Sequence, residues 1–270
     1  MRKRFIHILW ALLGAGILFC ILGFVAVWNG LIGYMPEIED LQNPINRFAT
    51  QVYSSDGKVL GTWNLNKENR IVIPYDKMSP HLVEALVATE DERFYEHSGI
   101  DFRALGRAIV KRGLMGQTNA GGGSTITQQL VRNTILQEEQ FDSTIERKVR
   151  EAYIAIKMEE MYSKDEILMM YLNSIYYGAG CYGIEAAAQT YFGKPCSQLT
   201  IAEAATLAGL PQSPSYYNPL ANPESAIERR NVVLAHLLDK GHITQQEYDD
   251  AVASDLVLNY TPPEKSGAYA

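Results

Sequence analysis

The chain has 270 residues, of which 47% are hydrophobic and 20% are charged. This composition allows one large or two small buried cores and excludes a disordered or fibrous protein. The formal net charge is −7, and Arg2, Lys3 and Arg4 precede the first acidic residue. The rest of the chain is therefore more acidic still, which argues against a nucleic-acid partner.

An apolar segment of 24 residues runs from Phe5 to Trp28 and contains no Asp or Glu. As a helix it would reach roughly 36 Å, enough to cross a hydrocarbon core of ~30 Å. The basic residues at 2–4 predict a cytoplasmic tail (1–4) and an extracytoplasmic remainder. A cleaved signal peptide is the alternative, but its apolar stretch is usually only about 7 to 15 residues long. We therefore predict a signal anchor at 5–28, a transmembrane helix with single-pass type II topology in the cell membrane.

Residues 29–75 are interpreted as a linker that contains Pro36 and Pro44, followed by a small β-hairpin near 48–63. Two β-rich runs flank the sequence SDGK at 55–58, and Asp-Gly is a strong signal for a hairpin turn.

From Ser79 onward the local signals are helical. Ser79 and Asn222 each precede a proline, and four other residues precede a Glu at capping-box spacing: Ser143, Ser163, Thr200 and Thr244. These six helix starts predict a mainly α domain at 76–255, with a C-terminal linker at 256–270.

In the helix that begins at Pro80, an apolar stripe runs through Val83 and Leu86 and continues to Glu90 at the helix end. Burial raises the pKa of a carboxyl group, as in a general acid or base. The alternative is a Glu that pairs with an Arg or caps a helix. We interpret His97 as a structural hydrogen-bonding residue rather than as a metal ligand with Asp101, because the intervening Gly99 breaks the helix.

Three glycines at 121–123 precede a helix that Ser124 or Thr125 caps, with Gln128 at the capping-box position. Free amides at a helix N-terminus attract anions such as phosphate, and Gln128, Gln129 and Arg132 supply further donors. The Gly-Lys-Ser/Thr ending of a nucleotide P-loop is missing, so the pattern does not imply ATP.

The helix from Thr144 is apolar almost all round, which predicts that it is largely enclosed. We expect one face to contain Ile145, Val149, Ala152, Tyr153 and Ile156, with Ile154 and Met158 on the other side. Arg147, Lys148 and Glu151 lie on the same helix, and buried charges cost several kcal/mol unless they are paired. This cluster is either a structural ion pair or a site for an anionic substrate.

Two further patterns leave alternatives open. Cys181 and Cys196 can pair in an oxidising compartment or remain as two core thiols. The segment GRAIVKRGLMG at 106–116 mixes basic and apolar residues, which suits a membrane surface and also an ordinary helix end.

Five segments, in this order, resemble the glycosyltransferase family 51 domain, the peptidoglycan glycosyltransferase of monofunctional enzymes and of class A penicillin-binding proteins. They are ATEDERFYEHSGID (88–101), GGSTITQQLVRN (122–133), RKVRE (147–151), KDEILMMYLNSIYYGAGCYGIEAAAQTYFGK (164–194) and LTIAEAATLAGLPQSPSYYNPLANPESAIERRNVVL (199–234). The resemblance implies a lysozyme-like, two-lobed fold with a membrane-embedded jaw. It further implies an inverting enzyme that polymerises lipid II into β-1,4-linked glycan strands and releases undecaprenyl pyrophosphate.

The resemblance also implies roles for individual residues. Glu90 matches the catalytic base, and Glu151 matches the second essential carboxylate. The matching substrate-binding residues are Ser124, Thr125, Gln128, Gln129, Arg132, Arg147 and Lys148, of which the three cations face the pyrophosphate. The family's usual residue at 132 is lysine, and arginine keeps the charge while adding bidentate phosphate geometry.

No cofactor is required by the resemblance, although a divalent cation, Mg²⁺ or Mn²⁺, can assist at the pyrophosphate. The implied partners are lipid II, the growing glycan strand, the membrane and a cell-wall synthesis complex. The ending TPPEKSGAYA resembles the start of a linker to a transpeptidase domain. We therefore expect a fragment of a class A penicillin-binding protein rather than a natural monofunctional enzyme.

Two alternative functions share parts of the pattern. A lysozyme or lytic transglycosylase would share the fold and one essential Glu, but glycan cleavage needs no diphosphate cluster. A catalytically silent scaffold in a cell-wall complex would not need both Glu90 and Glu151.

Overall fold

A computed structural model of the chain describes residues 2–28, 50–53, 59–63, 70–110, 123–136 and 145–262. Several features named above lie outside these residues. They are the linker at 29–47, the hairpin turn at 55–58, residues 111–122, Ser143 and the chain after 262.

The described part of the chain contains ten α-helices and two short strands. The helices are α1 (Arg2–Trp28), α2 (Pro80–Glu90), α3 (Phe102–Ile109), α4 (Ile126–Thr134), α5 (Ile145–Met161), α6 (Lys164–Ser174), α7 (Ile184–Phe192), α8 (Ile201–Gly209), α9 (Pro223–Asp239) and α10 (Gln245–Ala253). The strands β1 (Thr50–Tyr53) and β2 (Val59–Trp63) pair in antiparallel fashion on either side of the predicted turn. The mainly α class is therefore confirmed.

Helix α1 covers the whole of the apolar segment at 5–28. Its large apolar side chains include several that are exposed: Trp10, Leu18, Ile21, Leu22 and Val25. Among the residues that the structure describes, no helix meets the length and apolar character required to cross a membrane.

The helix starts lie where the capping residues predict them. Complete capping boxes open α4, α6, α8 and α10, at Thr125 with Gln128, Ser163 with Glu166, Thr200 with Glu203, and Thr244 with Glu247. Pro80 and Pro223 open α2 and α9, although the side chains of Ser79 and Asn222 make no cap hydrogen bond. At these two starts the fixed φ of proline, rather than a side-chain cap, favours the first turn.

The helices form two packed groups. In the first, α8 packs against α2 and α9, which also contact each other, and α10 packs against α9. Buried alanines on α8, such as Ala204, Ala205 and Ala208, allow these helices to approach closely. In the second group, α4 packs against α5 and α6. The C-terminal end of α2 contacts the second group through Glu90 and Gln129, and α7 contacts both α6 and α8.

Helix α5 is buried along one side only, so the prediction that it is enclosed almost all round is wrong. Ile145 is 79% exposed, and Val149, Ala152, Tyr153 and Ile156 are only half-buried. The buried residues are Arg147, Arg150, Glu151, Ile154, Ala155 and Met158. Because Glu151 pairs with its cationic neighbours, the charged stripe can be buried together with the apolar residues that follow it.

Cys181 and Cys196 are both free and buried. Burial, with the carboxylate of Glu185 nearby, raises the pKa of the Cys196 thiol to about 12. Of the two alternatives open in the sequence, the structure shows two core thiols.

Gly99 is a position at which the fold requires glycine. Its φ is +91°, and a Cβ there would lie 2.8 Å from backbone atoms of Ala155 and Ile156 in α5. We expect Gly99→Ala to lower the free energy of unfolding by about 2–4 kcal/mol, measured by urea denaturation. Gly241 also has a positive φ, +73°, but nothing lies within 4 Å of its Cβ position. Gly241→Ala should therefore lose only about 1 kcal/mol, and equal losses at both positions would contradict a steric role for Gly99.

Candidate active site

A cavity of about 310 Å³ lies between the end of α2, helix α3, the start of α4 and the end of α9. Its wall includes three of the predicted site residues, Glu90, Ser124 and Thr125. The volume is that of a small-molecule pocket.

The carboxylate of Glu90 is held from two sides. The Gln129 amide donates a hydrogen bond of 3.0 Å to one carboxylate oxygen. The guanidinium of Arg229 lies 3.5 Å from the other oxygen, and the Glu90 side chain is 13% exposed. The sequence left a choice between a catalytic carboxyl and a Glu paired with an Arg. In the structure Glu90 is paired with an Arg and also lines the cavity, where a substrate can reach it.

A buried phenol fixes the orientation of the Gln129 amide. The Tyr171 hydroxyl donates to Gln129 Oε1 at 3.0 Å, so that the NH₂ group of the same amide points to Glu90. Burial, with Glu90 nearby, raises the pKa of Tyr171 well above its usual value. Tyr171 therefore remains a donor across the physiological pH range.

Arg229 is itself fixed by its surroundings. Its Nε donates to the Gly209 carbonyl at 3.2 Å, and its guanidinium lies over the Tyr217 ring, 5.7 Å from the centroid. Sequence reasoning missed Arg229 and Tyr171 as neighbours of Glu90. Both lie in segments that resemble the family, but no local spacing relates them to residue 90.

The amides at the start of α4 are occupied within the protein. Asp91 accepts a 3.0 Å hydrogen bond from the Ile126 amide, and Thr125 Oγ1 accepts one from the Gln128 amide. The Gln128 side chain in turn accepts from the Thr125 amide. The amides of Thr125, Ile126 and Gln128 are therefore used for internal contacts, and Gln128 completes the capping box.

Glu151 organises a cationic cluster on α5. Glu151 is fully buried and pairs with Arg147 through one oxygen, while Lys148 Nζ lies 2.6 Å from the other. Lys148 also donates to Ser124 Oγ at 3.4 Å, which connects the cluster to the cavity wall. Burial, together with the charges of Arg132 and Arg147, lowers the pKa of the Lys148 ammonium to about 8. The repulsion between these three cations is what an arriving anion would relieve.

His97 and Asp101 do not contact one another in a metal site. His97 Nε2 lies 3.0 Å from Asp91, as expected for a structural hydrogen bond. Asp101 caps α3 through the Arg103 and Ala104 amides and pairs with Arg93. Within the described residues, no group of three or more His, Cys, Asp and Glu side chains is arranged to hold a metal ion.

Known proteins resemble this chain across most of its length. Residues 56–238 match the family model described as Transglycosylase. Penicillin-binding protein 1A of Escherichia coli (strain K12) is 42% identical over 253 residues, which cover 94% of this chain and 28% of that protein. Penicillin-binding protein 1A of Aquifex aeolicus (strain VF5) is 43% identical over 246 residues, covering 88% of this chain and 33% of that protein.

A crystal structure of penicillin-binding protein 1A from Haemophilus influenzae is also similar, with 28% sequence identity and a TM-score of 0.45. The match covers 82% of this chain and 22% of that one. The chain thus spans about a third or less of the length of the curated relatives it matches. It belongs to the transglycosylase family and carries the peptidoglycan glycosyltransferase domain that its five sequence segments indicate.

Proposed function

We propose that the chain polymerises lipid II into β-1,4-linked glycan strands and releases undecaprenyl pyrophosphate. The observation that carries this proposal is the placement of Glu90 on a cavity whose wall, at Ser124, leads to Lys148 and its cationic neighbours. A base beside one end of a cleft and a group of cations beside the other suit the displacement of a pyrophosphate by a sugar hydroxyl.

In the proposed reaction Glu90 accepts the proton of the acceptor sugar's 4-hydroxyl. The hydroxyl oxygen forms a bond to the anomeric carbon of the donor sugar, and the bond from that carbon to the pyrophosphate oxygen breaks. One displacement converts an α-linked donor into a β-linked product, so no covalent sugar-enzyme intermediate is needed. Gln129 and Arg229 hold the Glu90 carboxylate in place for this step.

The leaving group is proposed to meet the side chains of Arg132, Arg147 and Lys148, with Ser124 as a further donor. Positive charge placed beforehand where negative charge develops lowers the barrier without reorganisation. Glu151 has a supporting role in this scheme, because it holds Arg147 and Lys148 on one face of α5. We propose that these cations make a metal ion unnecessary, and that Mg²⁺ or Mn²⁺ on the pyrophosphate adds only to their effect.

We also propose that residues 5–28 anchor the chain in the cell membrane, with residues 1–4 in the cytoplasm and the domain outside. The support is the 24-residue apolar run without Asp or Glu, preceded by three basic residues. Helix α3 adds to it, because Phe102 is 75% exposed and Leu105 and Val110 are also exposed, beside Arg103 and Arg107. Apolar side chains mixed with basic ones suit a membrane surface, where a lipid-linked substrate resides.

Two finer points complete the proposal. The two groups of helices would be the lobes of a lysozyme-like fold, with the cavity at their junction. The greater length of the matched penicillin-binding proteins 1A supports the expectation that the chain is part of a class A penicillin-binding protein, acting in a cell-wall synthesis complex.

The test is an assay of the purified chain, in detergent, with lipid II and separately with preformed glycan. We expect lipid II to be extended into strands, and we expect a chelator of divalent cations to slow the reaction less than removal of Lys148 does. Digestion of preformed glycan without extension of lipid II would instead support a lysozyme or lytic transglycosylase. Binding of lipid II without either reaction would support a scaffold.

A further inference from the structure

A row of buried charged side chains extends from Asp91, in the wall of the cavity, into the interior of the protein. Its members are Asp91, just after α2; His97, in the loop before α3; Glu159, on α5; and Lys164, the first residue of α6. The side chains of Asp91, His97 and Glu159 are 4–5% exposed and that of Lys164 is 22% exposed. Charges this well buried are costly unless each has a partner.

Each of these four side chains lies close to the next. Lys164 Nζ lies 2.5 Å from Glu159 Oε2 and donates to the His97 carbonyl at 2.7 Å. Glu159 Oε1 accepts from Thr127 Oγ1 at 2.6 Å and lies 3.9 Å from His97 Nδ1. The other ring nitrogen of His97 lies 3.0 Å from Asp91. The 3.9 Å separation is too long for a hydrogen bond, so the short connection from α6 to the end of α2 runs from Lys164 to the His97 carbonyl and from the His97 ring to Asp91.

The contact between His97 and Asp91 connects these side chains to the candidate active site. Asp91 accepts the amide hydrogen of Ile126, the first residue of α4. One turn further along α4, Gln129 donates to Glu90, and Glu90 directly precedes Asp91 in the chain. Asp91 therefore fixes the end of α2 against the start of α4, and the position of Glu90 relative to Gln129 depends on that contact.

We propose that Glu159 and Lys164 are positioning residues for the glycosyl transfer, acting through His97 and Asp91 on the placement of Glu90 against α4. The inference rests on the proposed function. Neither residue lines the cavity, so their effect on the reaction is indirect. A merely structural ion pair could be replaced by an uncharged pair without loss of rate, whereas a positioning pair could not.

The first experiment measures kcat and KM of the full chain in detergent with lipid II. We expect Lys164→Met and Glu159→Gln to lower kcat by roughly 10- to 100-fold with a much smaller change in KM, because misplacement of the base by a fraction of an ångström slows chemistry more than binding. Lys164→Arg should recover most of the rate. The matched controls are Lys157→Met and Glu160→Gln, which remove the exposed ion pair next to Glu159 on the same helix and should leave kcat within about twofold of the wild type.

A double variant, Glu159→Gln with Lys164→Met, distinguishes a positioning effect from unfolding. It removes both members of the ion pair, so neither is left as an unpaired buried charge. We expect its melting temperature to approach that of the wild type while its kcat stays low. Wild-type kcat in a stably folded double variant would overturn the proposal, because the pair would then be only structural.

Hydrogen exchange supplies a readout that does not depend on activity. We expect the Ile126 amide to exchange at least several-fold faster in Glu159→Gln and in the double variant than in Glu160→Gln. Unchanged exchange would overturn the proposal at any level of activity. A wild-type chain that fails to polymerise lipid II would instead overturn the proposed function, while faster exchange would still establish the contact through Asp91.

Discussion

Glu90→Gln is expected to lower kcat for lipid II polymerisation by roughly 10²- to 10⁴-fold, the usual contribution of a general base. The amide oxygen can still accept the hydrogen bond from Gln129, although Arg229 loses its charged partner. The amide cannot take the proton of the acceptor hydroxyl. The measurement is the initial rate of strand synthesis, together with lipid II binding and the melting temperature, both of which should stay near the wild-type values.

The control for this variant is Glu84→Gln, on the same helix. Glu84 is half-buried and lies near His81 and His242, away from the cavity. Its replacement removes the same charge from α2 without touching the site. If Glu90→Gln polymerised lipid II as fast as Glu84→Gln, Glu90 would not be the base.

Lys148→Met is expected to reduce kcat by roughly 10²- to 10³-fold, as for loss of a group that stabilises transition-state charge. The effect on stability should be small, because the Lys148 side chain is 43% exposed and its loss also relieves repulsion from Arg132 and Arg147.

Arg147→Met should lower stability more than Lys148→Met does. It removes the buried partner of one Glu151 oxygen and leaves only the half-exposed Lys148 on the other, and we expect a loss of about 3 kcal/mol in stability.

This comparison separates the two interpretations of the α5 cluster. A large fall in rate with a small fall in melting temperature at Lys148 would support a site for an anionic substrate. An unchanged rate together with a large fall in melting temperature would support a structural ion pair.

The lowered pKa of Lys148 predicts that the rate of lipid II polymerisation depends on pH. Folding lowers this pKa from 10.5 to about 8, so the ammonium is lost from the free enzyme as pH rises through about 8. We expect kcat/KM to fall above that pH, and Lys148→Arg to move the decline to higher pH because a guanidinium stays charged. Between pH 8 and 10.5 the unfolded chain binds more protons at this residue than the folded one, so Lys148 makes stability rise with pH in that window.

Local signals predicted the helix starts and the position of Glu90 at the end of a helix. The capping boxes at Ser163, Thr200 and Thr244 act within four residues, so the sequence alone specifies them. Glu90 could likewise be placed at the end of an apolar stripe because helical periodicity is a local property. The stripe at Val83, Leu86 and Val87 is buried in the structure, as predicted.

Other features of the site depend on contacts that periodicity does not encode. Arg229 and Tyr171 reach Glu90 and Gln129 from helices far along the chain. The buried face of α5 was predicted wrongly for the same reason. The helix was expected to be enclosed almost all round, whereas Ile145 is exposed and the buried side contains Arg147 and Glu151 as an ion pair.

The occupation of the α4 N-terminus by Asp91 has a consequence for repeated turnover. A nest of backbone amides would bind a pyrophosphate before, during and after its displacement, and binding that is equal in all states does not accelerate the reaction. Here the Asp91 carboxylate already lies at the helix end, and in the proposed reaction the leaving group would meet the side chains of Arg132, Arg147 and Lys148 instead. In the proposed reaction, product release, which limits many enzymes, would thereby be eased in a catalyst that must let one lipid carrier go before each new sugar unit is added.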